Sequence, residues 1–432
     1  MTAVRARLVR LTRELTWRGR FSVAAGLVAM VVGLPLHQMI LVRVAVLLLF
    51  LPPVCLLLVH RTRHQVRASR RIEPGRVSAG EQATVTVAVA NNGLTGCGLL
   101  LAADTLPVGL AGRTRFAVRG LAAAATAEAR YQVDCLVRGR HPVGPLTLRL
   151  TDPFGMSGVD RSISGTDDLV VIPKVHPLPH LRFGAEVAGT SDTRKTHPPT
   201  AGDDDLAVRE YRRGDSMRRI NWRVTARRGE LMVRQEEHPP QTRATLLLDS
   251  RAEAHRGEGL DSSLEWAVSA AASIGVQLLA RRFALRAICE SGIGLGALVP
   301  EVLPPGPGVE HTYLDGLAVL EASKTRRLLE PGRFSGLGGD GVLVAIVGDL
   351  STADAEELAA RRRAGTVAIA LVLDVDTWGR GGRRRSRGGG SADHEAVFRN
   401  RGWGVATVRA GDDVAEVWQR VGVRSEPRPG AA

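Results

Sequence analysis

Residues 21–60 read FSVAAGLVAMVVGLPLHQMILVRVAVLLLFLPPVCLLLVH, forty positions whose only Arg, Lys, Asp or Glu is Arg43. Crossing a hydrocarbon core takes ~20 apolar residues, so the run divides into two spans. Positions 34–38, with Pro35 and His37, are the natural reversal point, which predicts a transmembrane α-hairpin. Arg43 follows that turn closely, and its long stem can carry the guanidinium to the interface. Ahead of the run stand Arg5, Arg7, Arg10, Arg13, Arg18 and Arg20; behind it stand Arg61, Arg63, Arg67, Arg70 and Arg71. Positive flanks stay in the cytoplasm. The expectation is therefore a multi-pass protein of the cell membrane, with a basic N-terminus (1–20), two transmembrane helices (21–60) and all later domains cytoplasmic. A cleaved signal peptide is a poor fit, because the apolar run is too long and ends in arginines without a small-residue cleavage site.

The whole chain has 432 residues, room for about three domains. Its 44% hydrophobic and 24% charged composition is that of a globular protein, and 4% aromatic content argues against a protein built on base-stacking platforms. The net charge is +14, and all but three of the 58 basic residues are arginine; the lysines are Lys174, Lys195 and Lys324. Dispersed arginine of this kind favours solubility and anionic lipid over a concentrated nucleic-acid stripe. Cys55, Cys97, Cys135 and Cys289 form no C-x-x-C pair, so neither zinc nor a dithiol motif is suggested. In the reducing compartment implied by the topology, Cys97 and Cys135 stay free.

Residues 72–172 alternate short Val- and Thr-rich runs (83–89, 115–118, 129–137, 146–150) with turns at Asn91-Asn92-Gly93 and Asp152-Pro153-Phe154-Gly155, then a last run at 169–172. That spacing predicts a small β-sandwich. Residues 173–243 begin as a Pro- and His-rich connecting loop to about 205. Pro177 and Pro179 keep His176 and His180 from sharing a helix face, so no metal site is expected there. From 244 to 423 strand and helix patterns alternate: strands at 244–248, 283–288, 341–347, 366–373 and 404–408, with helices following 262 and near 314–322, 352–363 and 413–421. Such alternation implies a mostly parallel sheet covered on both faces. Ser262 and Glu265 form a capping-box pattern opening the first helix. The stretch 379–391 (GRGGRRRSRGGGS) reads as a basic loop and 424–432 as a tail.

The densest polar sequence lies between sandwich and sheet, from Arg209-Glu210-Tyr211 through Gly214-Asp215 and Arg218-Arg219-Ile220-Asn221-Trp222 to Ala226-Arg227 and Leu231. These residues spell R-E-Y-x-x-G-D, R-x-I-x-W and A-R-x-x-x-L, and they resemble the signature of the bacterial family called domain of unknown function 58. The likeness extends to the apolar hairpin, to an R-G-x-x-x-x-G-P step (Arg138, Gly139, Gly144, Pro145) and to the D-P-F-G turn. The resemblance implies a multidomain, membrane-anchored protein whose last α/β domain is similar to a von Willebrand factor A domain, and which works with MoxR-type AAA+ ATPases in chaperone-like or envelope-related assembly. No enzymatic reaction is attached to the family.

Two physical readings suit the signature. Arg209, Glu210, Tyr211, Asp215, Arg218, Trp222 and Arg227 can knit a charge-assisted network that fixes a domain junction. Alternatively they present a partner-docking surface, since Arg, Tyr and Trp dominate interface hot spots. A-type domains often hold a divalent cation through D-x-S-x-S. Here the run is Asp249-Ser250-Arg251-Ala252-Glu253, so both serines are replaced. An Asp249–Arg251 contact is expected instead; Asp249 and Asp349 remain as weak candidates for Mg²⁺. No other cofactor is expected, as P-loop, G-x-S-x-G, H-E-x-x-H and G-x-G-x-x-G patterns are missing. The leading expectation is a non-enzymatic scaffold with an ATPase or other envelope-related protein as partner. Alternatives are binding of anionic polymers or lipid headgroups through the arginine-rich segments, and a metal-dependent hydrolase using Asp249 and Asp349.

Overall fold

The computed structural model describes residues 14–63, 65–94, 96, 99–118, 120–152, 154–162, 165–180, 208–211, 217, 220–234, 242–289, 295, 299–329, 341–379 and 390–424. The chain is multidomain α/β and divides into two compact units, Met1–Ile172 and Pro173–Ala432.

In the first unit, helices α1 (Trp17–Gly33) and α2 (Met39–Arg63) form a hairpin that turns at 34–37. Small residues let the helices approach closely: a side chain at Gly26 would press on Ala45 and Leu49, and one at Gly33 on Leu41 and Val42. Ser22 Oγ donates to the Leu48 carbonyl across the pair (3.0 Å). The two helices carry exposed Val31, Ile40, Leu47 and Phe50, apolar surface that water does not favour. Met39–Arg61 is long and apolar enough to cross a membrane. Ser263–Ala280 passes the same length test, but it is the mostly buried helix of the second unit's sheet.

Eleven strands follow: β1 (Val66–Glu73), β2 (Arg76–Ser78), β3 (Gln82–Asn91), β4 (Leu100–Asp104), β5 (Leu110–Gly112), β6 (Arg115–Val118), β7 (Thr126–Cys135), β8 (Gly139–Val143), β9 (Leu146–Thr151), β10 (Gly158–Ser162) and β11 (Asp167–Ile172). Sheets ordered β1-β3-β7-β5 and β10-β9-β4-β6 enclose one core, in which Val85, Val87 and Val89 meet Leu100, Leu146, Leu148 and Leu150. A third, three-stranded sheet is ordered β2-β11-β8. Strict alternation of buried and half-buried residues along β3 is the pleat's signature. The sheet starts at Val66, six residues before the position expected from sequence, because β1 (VRASRRIE) hides its alternation under arginines.

One of those arginines is not a flanking charge. Arg70 lies with its side chain fully buried, donating from Nε and Nη2 to the Asp104 carboxylate (2.8 and 2.9 Å), from Nη1 to the Val143 carbonyl (2.6 Å) and to Asp167 (2.9 Å). Tyr131 Oη donates to the same Asp104 (2.6 Å), and burial together with that bond raises its phenol pKa. Gly144 of the R-G-x-x-x-x-G-P step explains itself here: its φ is +117°, and a Cβ would stand 2.8 Å from the Arg70 guanidinium. The D-P-F-G turn has a structural task too. Asp152 accepts from Phe154 N (2.8 Å), Ser157 N and Ser157 Oγ (2.9 Å), and the turn it shapes receives Thr16 Oγ1 on the Gly155 carbonyl (2.6 Å) at the start of α1. Cys135 is a free buried thiol; Cys97 lies outside the described residues.

The second unit opens with residues 173–180, which strap along a helix rather than looping free. The Lys174 carbonyl accepts from Ser269 Oγ (2.6 Å), His176 N donates to Ser273 Oγ (2.9 Å), and Gln277 Nε2 reaches the Leu178 and Pro179 carbonyls (3.0 Å each). The rest of the expected loop, 181–205, lies outside the described residues. Next come β12 (Val208–Glu210), α3 (Trp222–Arg228) and β13 (Met232–Arg234). Then follow β14 (Arg243–Leu248), α4 (Ser263–Ala280), β15 (Ala284–Cys289), α5 (Val309–Ala318), β16 (Gly341–Val347), α6 (Thr352–Ala360), β17 (Val367–Leu373), α7 (Ser391–Asn400), β18 (Gly404–Val408) and α8 (Val414–Arg424). Strands β14 to β18 form one parallel sheet ordered β15-β14-β16-β17-β18. Leu303 adds an antiparallel bridge to Leu285 on the β15 edge. Strand β16 (GVLVAIV) is buried at every position, as a central parallel strand covered on both faces must be. Ser262 Oγ accepts from Glu265 N (3.2 Å), capping α4 as its sequence pattern predicts. Helix α7 was not legible in the sequence, and residues 380–389 of the basic stretch lie outside the described residues.

Candidate functional site

The signature segment folds as a small β-α-β unit. Strand β12 pairs antiparallel with β13, setting Arg209 opposite Val233 and Glu210 opposite Met232. Tyr211 N extends the ladder to the Leu231 carbonyl (2.8 Å). Asn221 turns the chain, donating its backbone N–H to Met232 O (2.8 Å) while its side chain accepts from Val224 N at the start of α3. Gly229, at φ +79°, ends the helix in the left-handed conformation, just after Arg227 and Arg228, whose charge suits a helix C-terminus. The R-x-I-x-W step thus separates two roles. Ile220, with Val224, Met232 and Val233, is buried, whereas Trp222 is 64% exposed; Met217 and Leu231 are exposed as well. Glu210 and Arg227 are exposed and Tyr211 half-buried. Asp215 and Arg218 lie outside the described residues, as does the side chain of Arg209.

The second locus is the carboxyl edge of the parallel sheet, between β14 and β16, where strand order reverses direction and ligands collect in such folds. Asp249 ends β14 and is fully buried. Arg251 clasps it with Nε on one oxygen and Nη2 on the other, both at 2.8 Å, and continues to the Asp349 carbonyl (3.0 Å) and the Arg326 carbonyl (3.1 Å). Asp249 also accepts from Gly348 N (3.2 Å) and Arg251 N (3.1 Å). His255 closes the loop, with Nε2 on the Asp249 carbonyl (2.8 Å) and Nδ1 against Ser263 Oγ (3.0 Å). Burial lowers the His255 pKa, a shift that the Asp249 charge opposes. A positive head group bonded to both carboxylate oxygens occupies the place a divalent cation would need, so these residues do not fit Mg²⁺ at Asp249. Asp349 contributes its backbone carbonyl to the clasp. Among the described residues no group of three His, Cys, Asp or Glu side chains is arranged to hold a metal ion.

Fold and sites together define a two-unit protein: an apolar helical hairpin carried on a β-sandwich, and a parallel α/β sheet preceded by an exposed aromatic β-α-β unit. Residues 207–313, the signature and the first part of the sheet, match the model of the family described as "Protein of unknown function DUF58". No curated protein matches the chain. Several solved structures show distant likenesses. A FixG-related protein from Vibrio parahaemolyticus is 10% identical with TM-score 0.18, over 25% of this chain and 96% of that one. The secreted serine protease VesC from Vibrio cholerae is 12% identical with TM-score 0.17, over 27% of this chain and 25% of that one.

Proposed function

We propose that this protein is a non-enzymatic, membrane-anchored scaffold whose soluble domains recruit a protein partner, a MoxR-type AAA+ ATPase by family resemblance, in chaperone-like or envelope-related assembly. The observation that supports the docking role is the 64% exposure of Trp222, since tryptophan is among the residues enriched in interface hot spots. Exposed apolar residues along α1 and α2 support anchoring by a double crossing, and basic flanks support a cytoplasmic location for both units. The A-like reading of the second unit draws support from its strand order, with the antiparallel bridge at Leu303 beyond the β15 edge.

Co-purification from detergent-solubilised membranes tests the proposal. The wild-type chain should retain an AAA+ ATPase or an envelope protein, and Trp222→Ala should lose it while melting as wild type does. An unchanged set of retained proteins in Trp222→Ala and Asp215→Ala would remove the docking role.

A further inference from the structure

The D-P-F-G turn of the sandwich is fixed to the start of the apolar hairpin. Thr16 N donates to the Met156 carbonyl (2.9 Å), Thr16 Oγ1 donates to the Gly155 carbonyl (2.6 Å), and Leu15 makes an antiparallel bridge to Ser157. Gly19, in the first turn of α1, is buried and has no room for a Cβ against the Met156 carbonyl. On the other helix Cys55, Leu56 and Val59 are buried, and Val59 belongs to the sandwich core. The sandwich is thus held by both helices, yet Phe154 stays 58% exposed. We infer that Phe154, Gly155 and Met156 lie in the headgroup layer of the bilayer, with Phe154 as an interfacial anchor that seats the sandwich on the membrane surface. The inference rests on the double crossing proposed above.

Helix length sets the depth. The 17 residues of α1, at ~1.5 Å each, make ~25 Å, and the hydrocarbon core is ~30 Å thick. A helix with no length to spare starts at the edge of the hydrocarbon, and whatever is bonded to its first turn lies at that level too. The Glu14–His60 pair (2.9 Å) marks the watery side just beyond. Residues at this level have the character of an interface. Trp17 is 72% exposed, and Arg18 and Arg20 are exposed in the same stretch of helix. Tryptophan settles where headgroups meet hydrocarbon, and arginine carries its charge out to anionic headgroups. A Cβ at Gly155 would stand 3.5 Å from Arg18 Nη1, so turn and cation share one level. The turn's own carboxylate does not oppose an anionic surface, because Asp152 is buried and accepts from Phe154 N and Ser157 Oγ. Lipid is the occupant favoured over a soluble partner, since Phe154 adjoins the end of a hairpin whose exposed sides are apolar.

Depth-dependent fluorescence quenching tests the inference on the full-length protein in vesicles of phosphatidylcholine and phosphatidylglycerol. In a Cys97→Ser chain the remaining cysteines, Cys55, Cys135 and Cys289, are buried. A small environment-sensitive fluorophore is attached to Phe154→Cys, to Leu47→Cys midway along α2, or to Val108→Cys. Val108 is exposed and follows Asp104, which pairs with Leu146 at the end of β9 away from the turn. Nitroxide lipids labelled near the headgroup should quench position 154 more than those labelled near the chain end. Position 47 should show the reverse order, and position 108 should be quenched by neither, which also shows that the fluorophore does not seek the bilayer by itself. Gly19→Leu, whose side chain presses on the Met156 carbonyl, should reduce shallow quenching at 154 and leave position 47 as it was. If 154 behaves like 108 while 47 is quenched by the deep nitroxide, the crossing stands and the interfacial anchor is overturned. A position 154 shielded from aqueous iodide yet unquenched by either lipid is covered by protein, which overturns it as well. An unquenched position 47 removes the crossing itself and the anchor with it.

Discussion

Removing the Arg251 guanidinium by Arg251→Met should be among the most destabilising single changes in the sheet unit. Arg251 is 5% exposed and Asp249 0%, so the pair is desolvated on both sides. The substitution deletes the Nε and Nη2 bonds to Asp249 and the bonds to the Asp349 and Arg326 carbonyls. It leaves the carboxylate with two backbone donors, Gly348 N and Arg251 N. Breaking one side of a buried pair costs about 3–5 kcal/mol, because the other charge stays behind unpaired. For a unit of this size that corresponds to a melting temperature lower by roughly 6–20 °C. Replacing both partners, Asp249→Leu with Arg251→Met, removes the stranded charge and should recover most of the loss. Calorimetric melting of wild type, both single variants and the double variant closes the cycle. The ion-pair reasoning is refuted if Arg251→Met costs less than about 1 kcal/mol, the range of an exposed pair, or if the double variant melts as low as the sum of the singles predicts. Arg251→Ser should regain stability on addition of Mg²⁺, while wild type stays unmoved.

In the sandwich, Asp104→Ala takes away the buried carboxylate of Arg70, leaving the guanidinium the half-exposed Asp167 and the Val143 carbonyl, and should cost about 3–5 kcal/mol, whereas Tyr131→Phe removes one bond to a charged group and should cost about 1.5–3 kcal/mol; urea midpoints measure both. Gly144→Ala should destabilise the same unit, since its φ of +117° and the Arg70 guanidinium leave no room for a methyl group; Gly80→Ala, also at positive φ but with nothing within 4 Å, should cost less. His255 should make stability depend on pH. Its folded pKa lies below the ordinary 6.5, so between the two values the unfolded chain binds a proton that the folded chain refuses. Stability is then complete above about pH 6.5 and falls as pH drops below it, and His255→Asn should flatten that slope in melts from pH 7.5 to 5.0. His176, whose pKa burial also lowers, should keep part of the slope.

Much of the architecture was written locally. A forty-residue, mostly apolar run broken at Pro35 specifies a hairpin by its length, and the uninterrupted run of β16 needs no partner to declare itself a buried strand. Ser262 before an apolar helical face marks its own cap. The Asp249–Arg251 contact was legible as well, because its members lie two residues apart at a strand end. Sequence also isolated the signature, since periodicity plays no part in recognising its charged and aromatic residues.

What local pattern could not assign was the use of each polar residue, because that depends on partners far along the chain. Arg70 reads as one more membrane-flanking cation; only the meeting of β1 with residues 34, 73 and 97 positions later makes it a buried counter-ion. Strand β1 was hidden for the same reason, its arginines masking a period-two pattern. Helix α7 follows a glycine-arginine stretch, and its inward face is His394, Phe398 and the half-buried Val397, too little apolar surface to signal a helix until the sheet lies beneath it. The alignment of strand ends brings Asp349, Asp374 and Asp376 together, because parallel strands joined by crossovers deliver their carboxyl termini to a common edge whatever their separation in sequence.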